Sequence, residues 1–303
     1  MEAKMNTYQP EGSLLLTKEN SRWLTPEGLR RARECGRILE GRATLCDRNN
    51  NLVVDLGGLR GLIPREEAVL GEARNIAVIS RVGKPVCFKV LEVGEQILLS
   101  RRAAQLEAAE RYLAALTPGD VIDARITHLE QFGAFADVGC GLVSLLPIDA
   151  ISISRICHPK ERFRVGQAIK AVVRGVDLPR HRLTLSHREL LGSWEENAAL
   201  FSPGMTIAGT VRGVEEYGVF VELSANLAGL AECHEGVWDG QAASVYIKSI
   251  LPEKMKIKLV IVEVFDTPLP PSPPHYFITG GHIDSWRYSP ADCGKVIETV
   301  FAK

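Results

Sequence analysis

Gln131-Phe132-Gly133-Ala134-Phe135 returns 85 residues later as Glu216-Tyr217-Gly218-Val219-Phe220. Each copy sets two aromatics around a glycine, at the join between two runs of alternating apolar residues. Period-two alternation is the pattern of a strand with one buried face. Two aromatics three residues apart on a small β-surface make a stacking platform if they are exposed, and every nucleobase has a π-face to lay on it. Gly133 and the small Ala134 leave the register open, so the spacing alone also allows either ring to sit in the core.

The repetition runs well beyond the rings. Pro118-Gly119-Asp120 recurs as Pro203-Gly204-Met205, and Ser144-Leu145-Leu146 as Gly229-Leu230-Ala231, at the same offset of 85. A degraded earlier copy is present: Leu52 to Gly57 matches Ala134 to Gly139, and Leu62-Ile63-Pro64 matches Leu145-Leu146-Pro147. Val86 to Val93 matches Ile169 to Val176 and then Ile257 to Val264. Three repeats of about seventy residues therefore account for most of the chain.

The middle repeat reads as strands at Val121–Ile126, at the Phe-Gly-Ala-Phe phrase, at Leu142–Leu146, at Ile169–Val176 and at Arg182–Ser186. Gly139-Cys140-Gly141 is a turn, and a loop from Asp149 to Val165 separates the third strand from the fourth. Five strands with one long connection suit a small Greek-key barrel of the OB type, in which closure removes the sheet edges. The expected fold is mainly β: three tandem five-stranded barrels joined by short helical connectors.

The expected order is a loosely ordered segment with a short helix (1–35), a degenerate first repeat (36–102), a helical connector (103–117), the second repeat (118–188), a second connector (189–201), the third repeat (202–280) and a tail (281–303). Thr25-Pro26 opens the early helix as N-cap and first-turn proline, and Gly36 ends it. Ala103 to Leu113 is rich in strong helix formers and stops at Thr117-Pro118-Gly119. In the second connector, Trp194 is expected to pack onto a neighbouring barrel. In the third repeat, Met255–Val264 reads as the fourth strand and Tyr276-Phe277-Ile278 as the closing one, beyond a polyproline-like spacer at Pro268–Pro274. Cys293–Phe301 reads as a short helix.

Net charge is −1 over 303 residues, which counts mildly against a general nucleic-acid coat. The charge is unevenly placed. From Ile151 to Leu190 nine cations (Arg155, Lys160, Arg162, Arg164, Lys170, Arg174, Arg180, Arg182 and Arg188) face only Glu161, Asp177 and Glu189, a local net of +6. The third repeat is acidic, through Glu215, Glu216, Glu222, Glu232, Glu235 and Asp239. The seven cysteines form no CxxC pair and fit reduced thiols. Cys157-His158 and Cys233-His234 are not read as metal ligands, and no cofactor is expected. No run approaches a membrane span and the first residues have no apolar core, so the chain is expected in the cytoplasm, as a monomer.

The pattern Gly-Asp-Val, Phe-Gly-Ala-Phe-Ala-Asp-Val-Gly, Leu-Leu-Pro-Ile, Val-Gly-Gln, Val-Val-Arg-Gly-Val-Asp, Arg-Leu-Thr-Leu-Ser resembles the S1 RNA-binding domain. Three such repeats, the first degenerate, resemble bacterial ribosomal protein S1 and its shorter relatives, over about residues 38 to 280. The resemblance implies a binding face of two aromatics on the second strand, a histidine after the third, an Asp closing the fourth and an Arg opening the fifth. In the second repeat these positions hold Phe132, Phe135, Pro147, Asp177 and Arg182, with Arg180 nearby. In the third they hold Tyr217, Phe220, Glu232 and Phe265 or Asp266, with no identifiable Arg. In the first, Asn50, Val53 and Pro64 leave no platform, and the family often uses such a leading domain for protein contacts.

The resulting expectation is a non-enzymatic protein that binds single-stranded RNA, mRNA in particular, by stacking and phosphate contacts. By resemblance it is associated with translation and with the small ribosomal subunit through the first repeat. The rival is a protein-binding adaptor of the translation or RNA-processing machinery with weak RNA affinity. Gly139-Cys140-Gly141 is followed by no helix and is not a dinucleotide loop. His282, Asp284 and Ser285 lack a nucleophile elbow and are not read as a triad.

Overall fold

The computed structural model describes residues 8–71 and 75–301. Fifteen strands close into three barrels, five strands each. The first is built of β1 (Leu39–Cys46), β2 (Leu52–Asp55), β3 (Arg60–Ile63), β4 (Pro85–Val93) and β5 (Ile97–Ser100). The second has β6 (Val121–Glu130), β7 (Gly133–Asp137), β8 (Val143–Pro147), β9 (Ala168–Asp177) and β10 (Arg182–Ser186). The third has β11 (Thr206–Glu215), β12 (Gly218–Ser224), β13 (Leu227–Ala231), β14 (Ala242–Leu251) and β15 (Lys256–Phe265). In each barrel the third strand pairs in parallel with the fifth, which places the fifth between the third and the fourth. This is the OB-type order.

Alternation does the folding work. Along β6 the inward Ile122, Ala124 and Ile126 are buried while Asp123 is exposed. They meet Leu146, Leu183, Leu185 and Phe163 in one core. Each such side chain contributes roughly 1.5–3 kcal/mol on burial. The glycine of the repeated phrase is fixed by close strand approach. A Cβ on Gly133 would lie 2.5 Å from the Leu146 carbonyl oxygen, and one on Gly218 2.4 Å from that of Ala231.

The third barrel corrects the strand assignment. Its fourth strand is β14, and the run expected as fourth is the fifth, β15. Both are alternating runs of ten residues, joined by a short 3-10 turn at Pro252-Glu253-Lys254. The barrel is closed by Phe265, so Tyr276-Phe277-Ile278 is not a strand. The tail is not helical either: β16 (Ser285–Arg287) pairs with β17 (Glu298–Val300) in a two-stranded sheet. Trp286 and Phe301 face the same core as Trp194, whose indole joins the third barrel's interior cluster.

Residues 8–35, expected to be loosely ordered apart from one short helix, are tied to the first two barrels. Thr17 caps α1 (Lys18–Trp23), and Asn20 bonds both backbone groups of Glu40. Helix α2 (Pro26–Cys35) has Thr25 as N-cap and Gly36 in the left-handed region at its end. Residues 9–14 form a strap between the first two barrels. The buried Glu11 carboxylate accepts two bonds from Arg101, at 2.6 and 2.9 Å, and one from the Cys87 amide at 3.1 Å. The Glu11 amide donates to Asp137 at 2.7 Å. Glu40 accepts from the amides of Gly12 and Leu14. After the short α3 (Asn75–Ile79), Arg101 opens the connector helix α4 (Arg101–Glu107).

The second and third barrels are joined twice. The loop after β8 reaches over: Ile153 donates to Asn226, and Arg162 and Arg212 both pair with Glu222, at 2.6 and 2.7 Å. Arg212 also pairs with Glu161. The tail then returns, with Phe277 donating to Leu190, Ile283 to Gly119, and the hydroxyl of Tyr276 accepting from the Lys170 amide. The barrels are thus held by an N-terminal strap on one side and a C-terminal staple on the other.

Candidate nucleic-acid interface

The register lays out one exterior row in each barrel. In the second, Phe135 on β7 lies opposite Leu145 on β8, which pairs with Thr184 on β10, which pairs with Gly175 on β9. Phe132 stands at the start of β7 and is 57% exposed. Its ring centroid is 6.0 Å from that of Phe135 at 89°, edge to face. The two phenylalanines are therefore not one flat shelf, and Phe132 offers the more accessible face. His128, opposite Phe135 on β6, adds a third ring with its centroid 6.4 Å away.

The remaining sequence-named residues divide. Arg182 is exposed on β10, two residues from Thr184, and has no ion pair among the described residues. Asp177 pairs across from it but is engaged in the turn. Its carboxylate accepts from the Arg180 amide at 3.2 Å and faces the Arg180 guanidinium at 3.3 Å. Asp177 and Arg180 thus shape the β9–β10 hairpin at the end of the face, and Arg182 is a cation on it without an ion pair among the described residues. The basic stretch is thinner than its sequence suggests. Arg162 is held by Glu222, Arg188 by Glu189 at 3.3 Å, and Lys170 by Asp123 at 2.6 Å. Arg155, Lys160, Arg164, Arg174 and Arg182 remain exposed.

The third barrel repeats the arrangement. Tyr217 is 67% exposed, and its centroid lies 6.1 Å from that of Phe220 at 87°. Phe220 pairs with Leu230, and Leu230 with Lys258. Lys256 lies opposite Leu251, as Arg182 lies opposite Asp177. With β15 as the fifth strand, the position expected to lack a cation holds Lys256, and Leu251 replaces the Asp. Phe265 and Asp266 lie at the far end of β15. Lys256 and Lys258 both lie on β15 at exposed positions of this face. Glu216 and Glu232 are exposed beside Tyr217, so this face carries both signs.

In the first barrel the row is Val53, Leu62 and Leu98, with Leu45 opposite Val53 on β1. It is aliphatic throughout. Asn50 stands in the left-handed region, at φ 63°, in the turn before β2 and brings no ring.

The model of the S1 RNA binding domain matches residues 116–188, the second barrel. The second barrel is thus an S1 RNA binding domain. Along most of its length it is also similar to small ribosomal subunit proteins bS1. The bS1 homolog of Bacillus subtilis (strain 168) is 31% identical over 237 residues, 72% of this chain and 61% of its own. The bS1 protein of Rhizobium meliloti (strain 1021) is 28% identical over 222 residues, 71% of this chain and 38% of its own. The chain thus spans less than two thirds of the length of either relative. A solved multidomain protein with nucleic acid binding domains from Streptococcus pneumoniae TIGR4 is 14% identical and covers 75% of this chain and 73% of its own, but its TM-score of 0.26 makes it no basis for functional comparison. Among the described residues no helix is long and apolar enough to cross a membrane.

Proposed function

We propose that this S1-domain protein binds single-stranded RNA, mRNA in particular, on the ring-bearing faces of its second and third barrels, and that it acts in translation beside the small ribosomal subunit, in the cytoplasm and without catalysis. The observation that carries the reading is the repeated row: two edge-to-face rings, a leucine, then a strand whose opening cation is unpaired, in both barrels. Rings stack bases at ~1–3 kcal/mol each with little sequence preference, and the neighbouring cation meets the phosphate. Arg182 can also lie flat on a base.

The first barrel has the row but neither ring nor cation. Its aliphatic face suits a protein contact, which agrees with the names of the relatives as ribosomal proteins and keeps an adaptor role alongside RNA binding. The test has two arms. Fluorescence anisotropy of a labelled single-stranded RNA with the whole chain reports binding, and sucrose-gradient fractionation reports whether the protein travels with the small subunit. Absence of binding in the first arm would remove the RNA reading, and absence from the small-subunit fractions would remove the ribosomal one.

A further inference from the structure

All three barrels carry one extra residue at the same place on the fourth strand. In the second, Leu185 pairs with Val173 and Thr184 with Gly175, so Arg174 is unpaired between them. In the third, Leu259 pairs with Ile247 and Lys258 with Ser249, and Lys248 is the extra residue. In the first, Leu99 pairs with Val90 and Leu98 with Glu92, leaving Leu91. Each follows a buried inward residue: Val173, Ile247 or Val90. A bulge of this kind bends the strand and re-aims the side chain it releases. Here it puts that side chain at the fourth-strand end of the exterior row.

We propose that the bulged cations Arg174 and Lys248 are phosphate contacts, extending the nucleic-acid path of the second and third barrels from the rings across to the fourth strand. The inference rests on the RNA-binding reading and names residues beyond it. Three observations on different barrels support it. Arg174 and Lys248 are exposed and have no ion pair among the described residues, while Lys170 on the same strand as Arg174 is paired with Asp123. Gly175 beside Arg174 carries no side chain, and a Cβ there would meet nothing within 4 Å, so the approach is open. In the barrel that lacks rings, the same bulge presents Leu91, 40% exposed, and the row ends on the exposed acid Glu92. Ring and bulged cation are present together or absent together.

The distance suits the role. Three strand spacings of ~4.8 Å put the bulge about 14 Å from the ring strand before curvature is counted. That is within the reach of an OB-type site of ~4–16 nucleotides. A base stacked on Phe132 and a phosphate held at Arg174 would then belong to one ligand strand running across β7, β8, β10 and β9.

The test uses the whole chain and a fluorescein-labelled oligouridylate, with anisotropy read across a salt series. Each phosphate neutralised on a single strand contributes about −0.7 to the slope of log affinity against log salt. Arg174→Gln and Lys248→Gln should each make the slope shallower by about 0.7, and the double variant by about 1.4. Arg155→Gln, an equal charge change on the loop after β8, should leave it unchanged. Circular dichroism matching the parent verifies folding. An unchanged slope in both bulge variants, with oligouridylate still bound, would overturn this inference and leave the RNA reading standing. So would an equal effect of Arg155→Gln, which would mean that only total charge is sensed. No binding by the parent chain would overturn both.

Discussion

Replacing Arg101 by Met should open the seam between the first two barrels. Arg101 is 3% exposed and supplies two of the bonds to Glu11, together with one to the Ala68 carbonyl. Burial alone would raise the Glu11 carboxyl, but the Arg101 charge and its bonds, with Arg81 behind them, hold it below the usual carboxylate range. Without Arg101 a buried carboxylate is left facing Asp137 and Glu40, with only Arg81 at 3.8 Å. Removing one partner of a buried pair costs about 3–5 kcal/mol. Cys87 and Cys140 are buried on opposite sides of this seam, both bonded through their amides to the strap, so they report its opening. In a thiol-labelling experiment with fast reclosure, the rate follows the opening equilibrium. At tenfold per 1.4 kcal/mol, labelling of these two cysteines should rise roughly 10²–10⁴-fold. Mass spectrometry separates them from the exposed Cys35, Cys157 and Cys233. A rise below threefold would refute the idea that the Glu11–Arg101 pair holds the barrels together.

The same seam should depend on pH. Burial, then the Glu11 charge, push the Glu40 carboxyl up to about 7 from its ordinary 4.5. A raised acid stabilises the folded state fully below the unfolded value and loses that contribution as pH rises through 7, here about 3 kcal/mol. Labelling of Cys87, normalised at each pH to the rate of the same thiol in the unfolded chain, should therefore speed up from pH 5 to 8.5, and Glu40→Gln should remove most of that rise; a flat normalised profile in the parent would contradict it. Lys256→Gln with Lys258→Gln should make the salt slope shallower by about 1.4 if both meet phosphate; an unchanged slope would take the third barrel's electrostatics off the RNA path. Gly133→Ala forces a Cβ against the Leu146 carbonyl and should cost roughly 1–3 kcal/mol in urea unfolding; a neutral result would mean the strands part more easily than their spacing implies.

The second barrel was legible because its signals are local. The glycine between Phe132 and Phe135, the turn at Gly139-Cys140-Gly141 and the alternation of β6 each act within a few residues. The early helix was legible for the same reason, through Thr25, Pro26 and Gly36. What could not be read depends on contacts distant in sequence. Glu11 looks like any polar residue until Arg101, ninety positions on, is folded against it. Arg162 reads as part of a basic field until Glu222, sixty positions on, is found beside it. β14 and β15 alternate equally well, so only pairing with β11 and β13 tells fourth strand from fifth, and Lys256 could be placed only after that. The tail's short strands have too few residues for period to distinguish them from a helical turn.

The most direct measurement is the affinity of the whole chain for a single-stranded RNA oligonucleotide before and after Phe132→Ala with Phe135→Ala. Losing a stacked base costs ~1–3 kcal/mol, so the account predicts at least about a fivefold loss, with circular dichroism unchanged because Phe132 lies outside the core. An affinity equal to the parent's, in a folded double variant, would contradict the claim that RNA is held by stacking on the second barrel.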